Sequence, residues 1–258
     1  MASAVWRRPR GFGMVPPVKP VPEMRHALAG IGVYPSDPHL AASLQATTDN
    51  VKHWLPDCAG LSISLVRNAD LTYTFVRTDT LTGVLDAMQY FDDGPCEAAV
   101  RSGDEVRIDD VLSDDNWPLF AQISAAAGIH SSLSIPLRRG PTLVGSVNVY
   151  GDTTYAFTGR EEELADAFGV HVQAMISQAD LSQPPQPRAV VHPDPAEQAI
   201  IGEALDVLVA THGFERATVG RRLNEAAARA RILPISVARA IQLGQPELQM
   251  QRLNTSVH

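Results

Sequence analysis

The sequence predicts an α+β domain, a central antiparallel sheet flanked by helices, followed by a small all-α three-helix module. Three observations carry that prediction. Between Leu61 and Phe75 the apolar period drops from the helical 3.6 to 2, on either side of a turn at Asn68-Ala69-Asp70. A second alternating pair, residues 131–137 and 143–150, is joined by the turn Arg139-Gly140-Pro141. A proline-rich stretch at 182–195 then separates a last helical run from everything before it. The order is helix, hairpin, small helices, hairpin, long helix, which suits helices packed on one sheet.

Residues 1–35 mix basic residues with prolines, show no stable periodicity, and read as a flexible leader with a short helix near 24–29. The first domain, residues 36–181, opens at Ser36-Asp37-Pro38, a capping side chain before a proline at the first helical position. Leu40, Leu44, Thr47, Val51 and Trp54 recur at helical spacing until Pro56. In the first hairpin Leu61, Ile63 and Leu65 alternate with Ser62 and Ser64, and Leu71, Tyr73 and Phe75 with Thr72 and Thr74, which predicts one buried face. A short helix over 82–88 follows, then the turn Asp92-Asp93-Gly94-Pro95. Next come a helix over 96–101 stopped by Gly103, a strand at 106–108, and a helix over 117–127 ended by Gly128. Thr158-x-x-Glu161 reads as a capping box opening a long helix, with Leu164, Phe168, Val172, Met175 and Ile176 on its apolar stripe. That helix, which also carries His171, is the expected homodimer contact. Residues 182–195 form a linker, 196–244 the helical module, and 245–258 a frayed tail.

Composition narrows the function. With 45% apolar residues the chain of 258 can bury a core. No window offers the roughly 18 consecutive apolar residues of a membrane span, and the N-terminus has no secretory core. Two cysteines, Cys58 and Cys96, suit a reducing cytosol, so a cytoplasmic protein is expected. The net charge of −8 disfavours a whole-protein nucleic-acid binder while allowing a local basic patch. His130 and His171 have no His or Cys at helical spacing, so no metal site is expected. The paired acids Asp92-Asp93, Asp109-Asp110 and Asp114-Asp115 read as turns and caps. No Walker lysine, G-x-S-x-G elbow, H-E-x-x-H pair or G-x-G-x-x-G loop occurs, and no enzymatic activity is expected.

Several blocks in order carry a resemblance. Phe91-Asp92-Asp93-Gly94-Pro95-Cys96-Glu97-Ala98-Ala99-Val100 and Val106-Arg107-Ile108-Asp109-Asp110 come first. Trp117-Pro118-x-Phe120, the run from Gly128-Ile129-His130 to Pro136-Leu137, and Val144-Gly145-Ser146-Val147-Asn148-Val149-Tyr150 follow. Together they resemble the GAF domains of actinobacterial regulators. The resemblance implies a sensory domain with a small-molecule pocket between the sheet and the helices over one face. Its lining would come from Phe91, Cys96, Trp117, Phe120, His130, Ser132, Ser134 and Asn148. The ligand is unidentified and no cofactor is specified. By their own pattern Ser132, Ser134 and Asn148 better suit the exposed face of alternating strands, because polar-out alternation is the default for a half-buried strand. Cys96 follows Gly94-Pro95 at a helix N-terminus, where the helix dipole lowers a thiol's pKa. A redox role for it stands against plain core packing. A GAF-type methionine sulfoxide reductase would need a cooperating set of cysteines, which Cys58 and Cys96 do not obviously form.

Proteins with such GAF domains usually continue into ANTAR, a three-helix RNA-binding antiterminator domain, and residues 196–244 are similar to it. Ala204-x-x-Val207-Leu208-Val209 with Gly213 fits its first helix, Val219 and Leu223 the second, and Val237-Ala238 with Ile241 the third. The departures are Leu205-Asp206 in place of Lys-Gly and Arg231-Ile232-Leu233-Pro234 in place of Asn-Arg-Lys-Leu, so several family cations become aliphatic. Arg221, Arg222, Arg229, Arg231 and Arg239 fall within two helices with Glu225 among them, and could grip RNA phosphates. The same charges also suit a solvated helix face. The expected protein is a GAF–ANTAR-like transcriptional regulator that senses a signal and binds RNA hairpins to prevent termination. The alternative is a GAF ligand-sensing or protein-interaction module with a tail that does not bind RNA.

Overall fold

The computed structural model describes residues 46, 49, 55–67, 71–166, 168, 193–213 and 215–245. The expected leader, most of the first helix, His171 and the rest of the long helix beyond residue 168, the linker up to residue 192 and the tail from 246 lie outside these residues.

Five antiparallel strands form one sheet: β1 (Cys58–Arg67), β2 (Leu71–Arg77), β3 (Val106–Ile108), β4 (Ser131–Arg139) and β5 (Thr142–Gly151), in the order β2-β1-β5-β4-β3. Between β2 and β3 run α1 (Thr80–Asp92) and α2 (Pro95–Ser102), and α3 (Pro118–Ala126) precedes β4. Beyond the sheet come α4 (Pro195–His212), α5 (Arg216–Arg229) and α6 (Pro234–Gly244).

Local chemistry sets these bounds. Asp79 caps α1 by accepting from the Thr82 N–H at 2.7 Å, and Asp93 ends it in the left-handed region at φ 58°. Pro95, Pro118, Pro195 and Pro234 sit in the first turns of α2, α3, α4 and α6, where a missing N–H costs nothing. Asp194 and Glu197 close a capping box on α4, and Gly213 ends it at φ 68°. The box expected at Thr158 and Glu161 is replaced by longer reaches: the Thr158 hydroxyl donates to Asp109, and Glu161 pairs with Arg107 of β3. Residues 161–166 are helical, with the Leu164 N–H donating to the Arg160 carbonyl.

The sheet has two unlike faces. Leu61, Ile63, Leu65, Leu133, Ile135, Leu137, Val147 and Val149 line one, packed against Leu55, Phe157, Leu164 and Phe168. The other carries Ser62, Ser64, Thr72, Thr74, Ser132, Ser134, Ser146 and Asn148, and every one of them is buried. The expectation of a hairpin with one buried face is therefore corrected: α1 and α2 roof the polar face as well. The first of these helices is also longer than the expected 82–88. It is buried at every position from Thr80 to Phe91, so it lacks the wet side that marks a helix in sequence.

The C-terminal helices do not stand apart beyond a linker. α4, α5 and α6 pack on each other, α5 and α6 also rest on α1, and α6 on α3. Leu208, Val219, Leu223, Val237 and Ile241 join Leu85, Met88, Phe120 and Ile123 in one apolar cluster.

A buried polar layer as the candidate functional site

Alternation along the strands sends every second side chain to the helix-covered face, and the register lines them up. Arg77, Ser62, Asn148 and Ser134 form one row across four strands, and Thr74, Ser64 and Ser146 the next. A bulge makes the first row possible: the β1–β2 register skips Phe75, so Thr74 and Arg77 fall on the same face three residues apart.

Onto this surface α1 sets one carboxylate. Asp86 is fully buried and accepts from Ser62 Oγ at 2.9 Å, Thr74 Oγ1 at 2.7 Å, Tyr150 Oη at 2.6 Å and Asn148 Nδ2 at 3.4 Å. One turn on, the Tyr90 hydroxyl lies 2.7 Å from Ser64 Oγ and 3.0 Å from Thr74 Oγ1. Gln89 Nε2 donates to Tyr150 Oη at 2.7 Å, and its Oε1 accepts the Cys96 N–H at 2.6 Å, which ties the start of α2 into the layer. Asn148 Oδ1 accepts from Ser134 and Ser146, while its Nδ2 donates to Ser62 and Ser64.

Burial dominates the electrostatics. It raises the Asp86 carboxyl above its ordinary value against the pull of Tyr150, Thr74, Ser62 and the nearby Arg77. It lowers the Arg77 guanidinium, opposed by Asp86, and drives the Tyr90 and Tyr150 hydroxyls well up. The Cys96 thiol is pushed up to about 12 by burial, with Glu97 and Asp86 adding to the effect. Of the two readings of Cys96, this favours plain core packing over a low-pKa redox thiol. A helix N-terminus favours a thiolate only where the sulfur stays solvated, and Cys96 is fully buried.

The structure distributes the expected pocket residues unevenly. Ser134 and Asn148 meet at 3.0 Å inside the layer, and Cys96 borders it through Ser64 and Asn148. Ser132 is buried with its hydroxyl unpartnered. These three polar strand residues are thus not on a wet face, the alternative their pattern allowed. Phe91 and Phe120 belong to the apolar packing of the helices. Trp117 is half-buried and donates its indole N–H to the Asp93 carbonyl at 2.7 Å, and His130 is half-buried at the entry to β4. Asp86, Tyr90, Gln89, Ser62, Ser64, Thr74 and Tyr150 were not anticipated. The signal was available: Asp86 is a lone acid in the otherwise uncharged run from Leu81 to Phe91.

The arginines divide as well. Arg221 is exposed, its side chain 66% accessible, 3.6 Å from Glu225. Arg222 and Arg239 are half-buried. Arg229 and Arg231 instead turn toward the sheet. Arg229 donates to the Thr72 carbonyl at 2.6 Å, to Thr72 Oγ1 at 2.7 Å and to Glu97, while Arg231 donates to the Phe75 carbonyl at 2.8 Å. Ile232 is buried in the apolar cluster. Among the described residues no three His, Cys, Asp or Glu side chains gather as a metal site requires. None of the described helices is long and apolar enough to cross a membrane.

The GAF domain profile matches residues 39–177 of the 258, and the chain belongs to the GAF domain family. No curated protein matches it. Among solved structures it is similar to a type II free methionine-R-sulfoxide reductase from Thermoplasma acidophilum, at 15% identity and TM-score 0.42, over 54% of this chain and 94% of that one. The free methionine-R-sulfoxide reductase of Neisseria meningitidis in complex with its substrate shares 16% identity at TM-score 0.38, over 61% and 89%. The GAF3 domain of a Synechocystis protein in its photoproduct state shares 16% at TM-score 0.40, over 54% and 97%.

Proposed function

We propose that this protein is a signal-responsive transcription regulator. Its GAF domain senses a small polar molecule through the layer around Asp86, and α4 to α6 engage RNA hairpins to prevent transcription termination. One observation carries the reading: α1 places Asp86 and Tyr90 in the layer and, with its remaining surface, seats α5 and α6. A rearrangement in the layer is therefore felt beneath the module. The likeness of residues 196–244 to ANTAR points to RNA as the partner, and the exposed Arg221 offers a phosphate contact. In this reading the protein is a cytoplasmic homodimer and catalyses nothing itself, both cysteines being buried and the Cys96 thiol pushed up by burial.

A second reading draws on the inward turn of Arg229 and Arg231: a GAF ligand-sensing or protein-interaction module whose tail has exchanged RNA contact for intramolecular packing. A gel-shift titration of the full-length protein against a paired-hairpin terminator RNA at two salt concentrations separates the two. The control carries Arg221→Ala, Arg222→Ala and Arg239→Ala. Salt-sensitive binding that the control loses supports antitermination, because phosphate contacts release counterions. Equal, negligible binding by both supports the second reading.

A further inference from the structure

The turn between α5 and α6 grips the border of the sheet. β2 is the outermost strand there, and an outermost strand presents backbone groups that no neighbouring strand satisfies. Arg229 covers the Thr72 carbonyl and adds a 3.4 Å contact to the Tyr90 carbonyl, with its guanidinium carbon 4.3 Å from the Tyr90 ring centroid. Arg231, held in the left-handed region at φ 57°, covers the carbonyl of Phe75, the residue extruded by the bulge. In return Arg77 Nη2 donates to the Arg231 carbonyl at 3.3 Å. Ile232 fits against α1 only because position 83 is glycine: a Cβ there would stand 2.7 Å from Ile232 Cγ2.

We propose that this turn is a releasable clamp that withholds Arg229 and Arg231 from phosphate ligands and that is coupled to the Asp86 layer through Tyr90. What the arginines are withheld from rests on the RNA reading above; the clamp itself does not. The withholding follows from the donors. Arg229 spends all three guanidinium nitrogens on GAF acceptors, and a fork so occupied cannot grip a phosphate at the same time. The coupling follows from shared residues. Tyr90 gives its hydroxyl to the layer and its ring and carbonyl to Arg229. Thr74 bonds Asp86, while Thr72, two residues back on the same strand face, bonds Arg229. A ligand that takes hydrogen bonds from Asp86 or Thr74 therefore shifts the seat of the clamp. The arginine contacts of the turn are polar and remain partly open to water, the Arg229 side chain being 18% exposed.

The test uses the full-length protein with spin labels at Arg101→Cys on α2 and Glu225→Cys on α5, both exposed positions. The buried native cysteines leave the labelling specific. Wild type is expected to give one dominant distance. Glu97→Gln removes the charge facing Arg229 without touching the module, and is expected to raise the ratio of open to closed molecules by about tenfold, the weight of one charge-assisted hydrogen bond. Tyr90→Phe keeps the ring under Arg229 and deletes only the hydroxyl in the layer, and is expected to raise the same ratio to a smaller extent. An open fraction that does not rise in Glu97→Gln overturns the clamp, and one that does not rise in Tyr90→Phe overturns the coupling. The same proteins are titrated with the hairpin RNA, where Glu97→Gln is expected to bind about tenfold more tightly than wild type, matching its shift in opening. An open Glu97→Gln that binds RNA no better than a binding wild type overturns the withholding. Opening without RNA binding by any variant refutes the RNA reading, and the withholding with it, while the clamp stands on its distances.

Discussion

Arg229 stacks on the ring of Tyr90, 4.3 Å from its centroid, while the hydroxyl of the same Tyr90 reaches Ser64 and Thr74 within the buried layer. One side chain thus belongs to two interfaces, sensor interior and module seat. α1 repeats the pattern along its length, with Asp86 facing the sheet and Gly83 facing Ile232 and Arg77.

Gly83→Ala separates helix propensity from packing. In a free helix the change stabilises by roughly 1 kcal/mol. Here the new Cβ would lie 2.5 Å from Arg77 Nε and 2.7 Å from Ile232 Cγ2. Arg77 is buried, and the Ile232 methyl sits on a stiff β-branched side chain, so neither yields easily. Overpacking of this kind costs typically about 1–3 kcal/mol. The expected balance in urea unfolding is a net loss of about 1 kcal/mol, and a net gain would show that the module does not bear on α1.

The Asp86 carboxyl gives stability a pH dependence of fixed sign. Burial raises it above 3.8, so the folded chain holds the proton more tightly than the unfolded one. Its contribution is complete below 3.8 and is lost as pH rises through the higher folded value. Asp86→Asn removes this titration. Urea midpoints measured at pH values on both sides of 3.8 should show wild type losing ground to the variant as pH rises, then levelling. A difference that stays constant, or that grows in favour of wild type with rising pH, contradicts a desolvated carboxyl.

Both cysteines should be silent in the native protein. Cys58 and Cys96 are buried, and the Cys96 thiol, at about 12, is un-ionised at any ordinary pH. Alkylation should run at least on the order of a thousandfold slower than in denaturant, because it waits for an opening of the fold. Fast native labelling of Cys96 would restore the activated thiol that its place at a helix start suggested.

Much of the sheet was legible. Strict alternation across Leu61 to Leu65 and Ser131 to Leu137, broken by glycine and proline turns, marks strands whatever covers them. Alternation tells which residues share a face, not whether that face is wet, and so Ser132, Ser134 and Asn148 could not be placed. The length of α1 was hidden for a related reason: a helix buried on every side has no polar stripe to count. Docking of α4 to α6 left only an indirect trace, a glycine inside α1. Contacts between Arg229 and Thr72, 157 residues apart, leave no local period at all.

The strand order has one more consequence. At one border β3 is only three residues long, and at the other β2 is covered by the arginines of a distant turn. Among the described residues, both outermost strands thus present less open backbone than their place in the sheet allows. Cutting the chain before α4 would strip β2 of that cover and leave its carbonyls as a template for strand-by-strand growth between molecules. The C-terminal helices thus do more than pack on α1: through Arg229 and Arg231 they cap carbonyls on the outermost strand of the sheet.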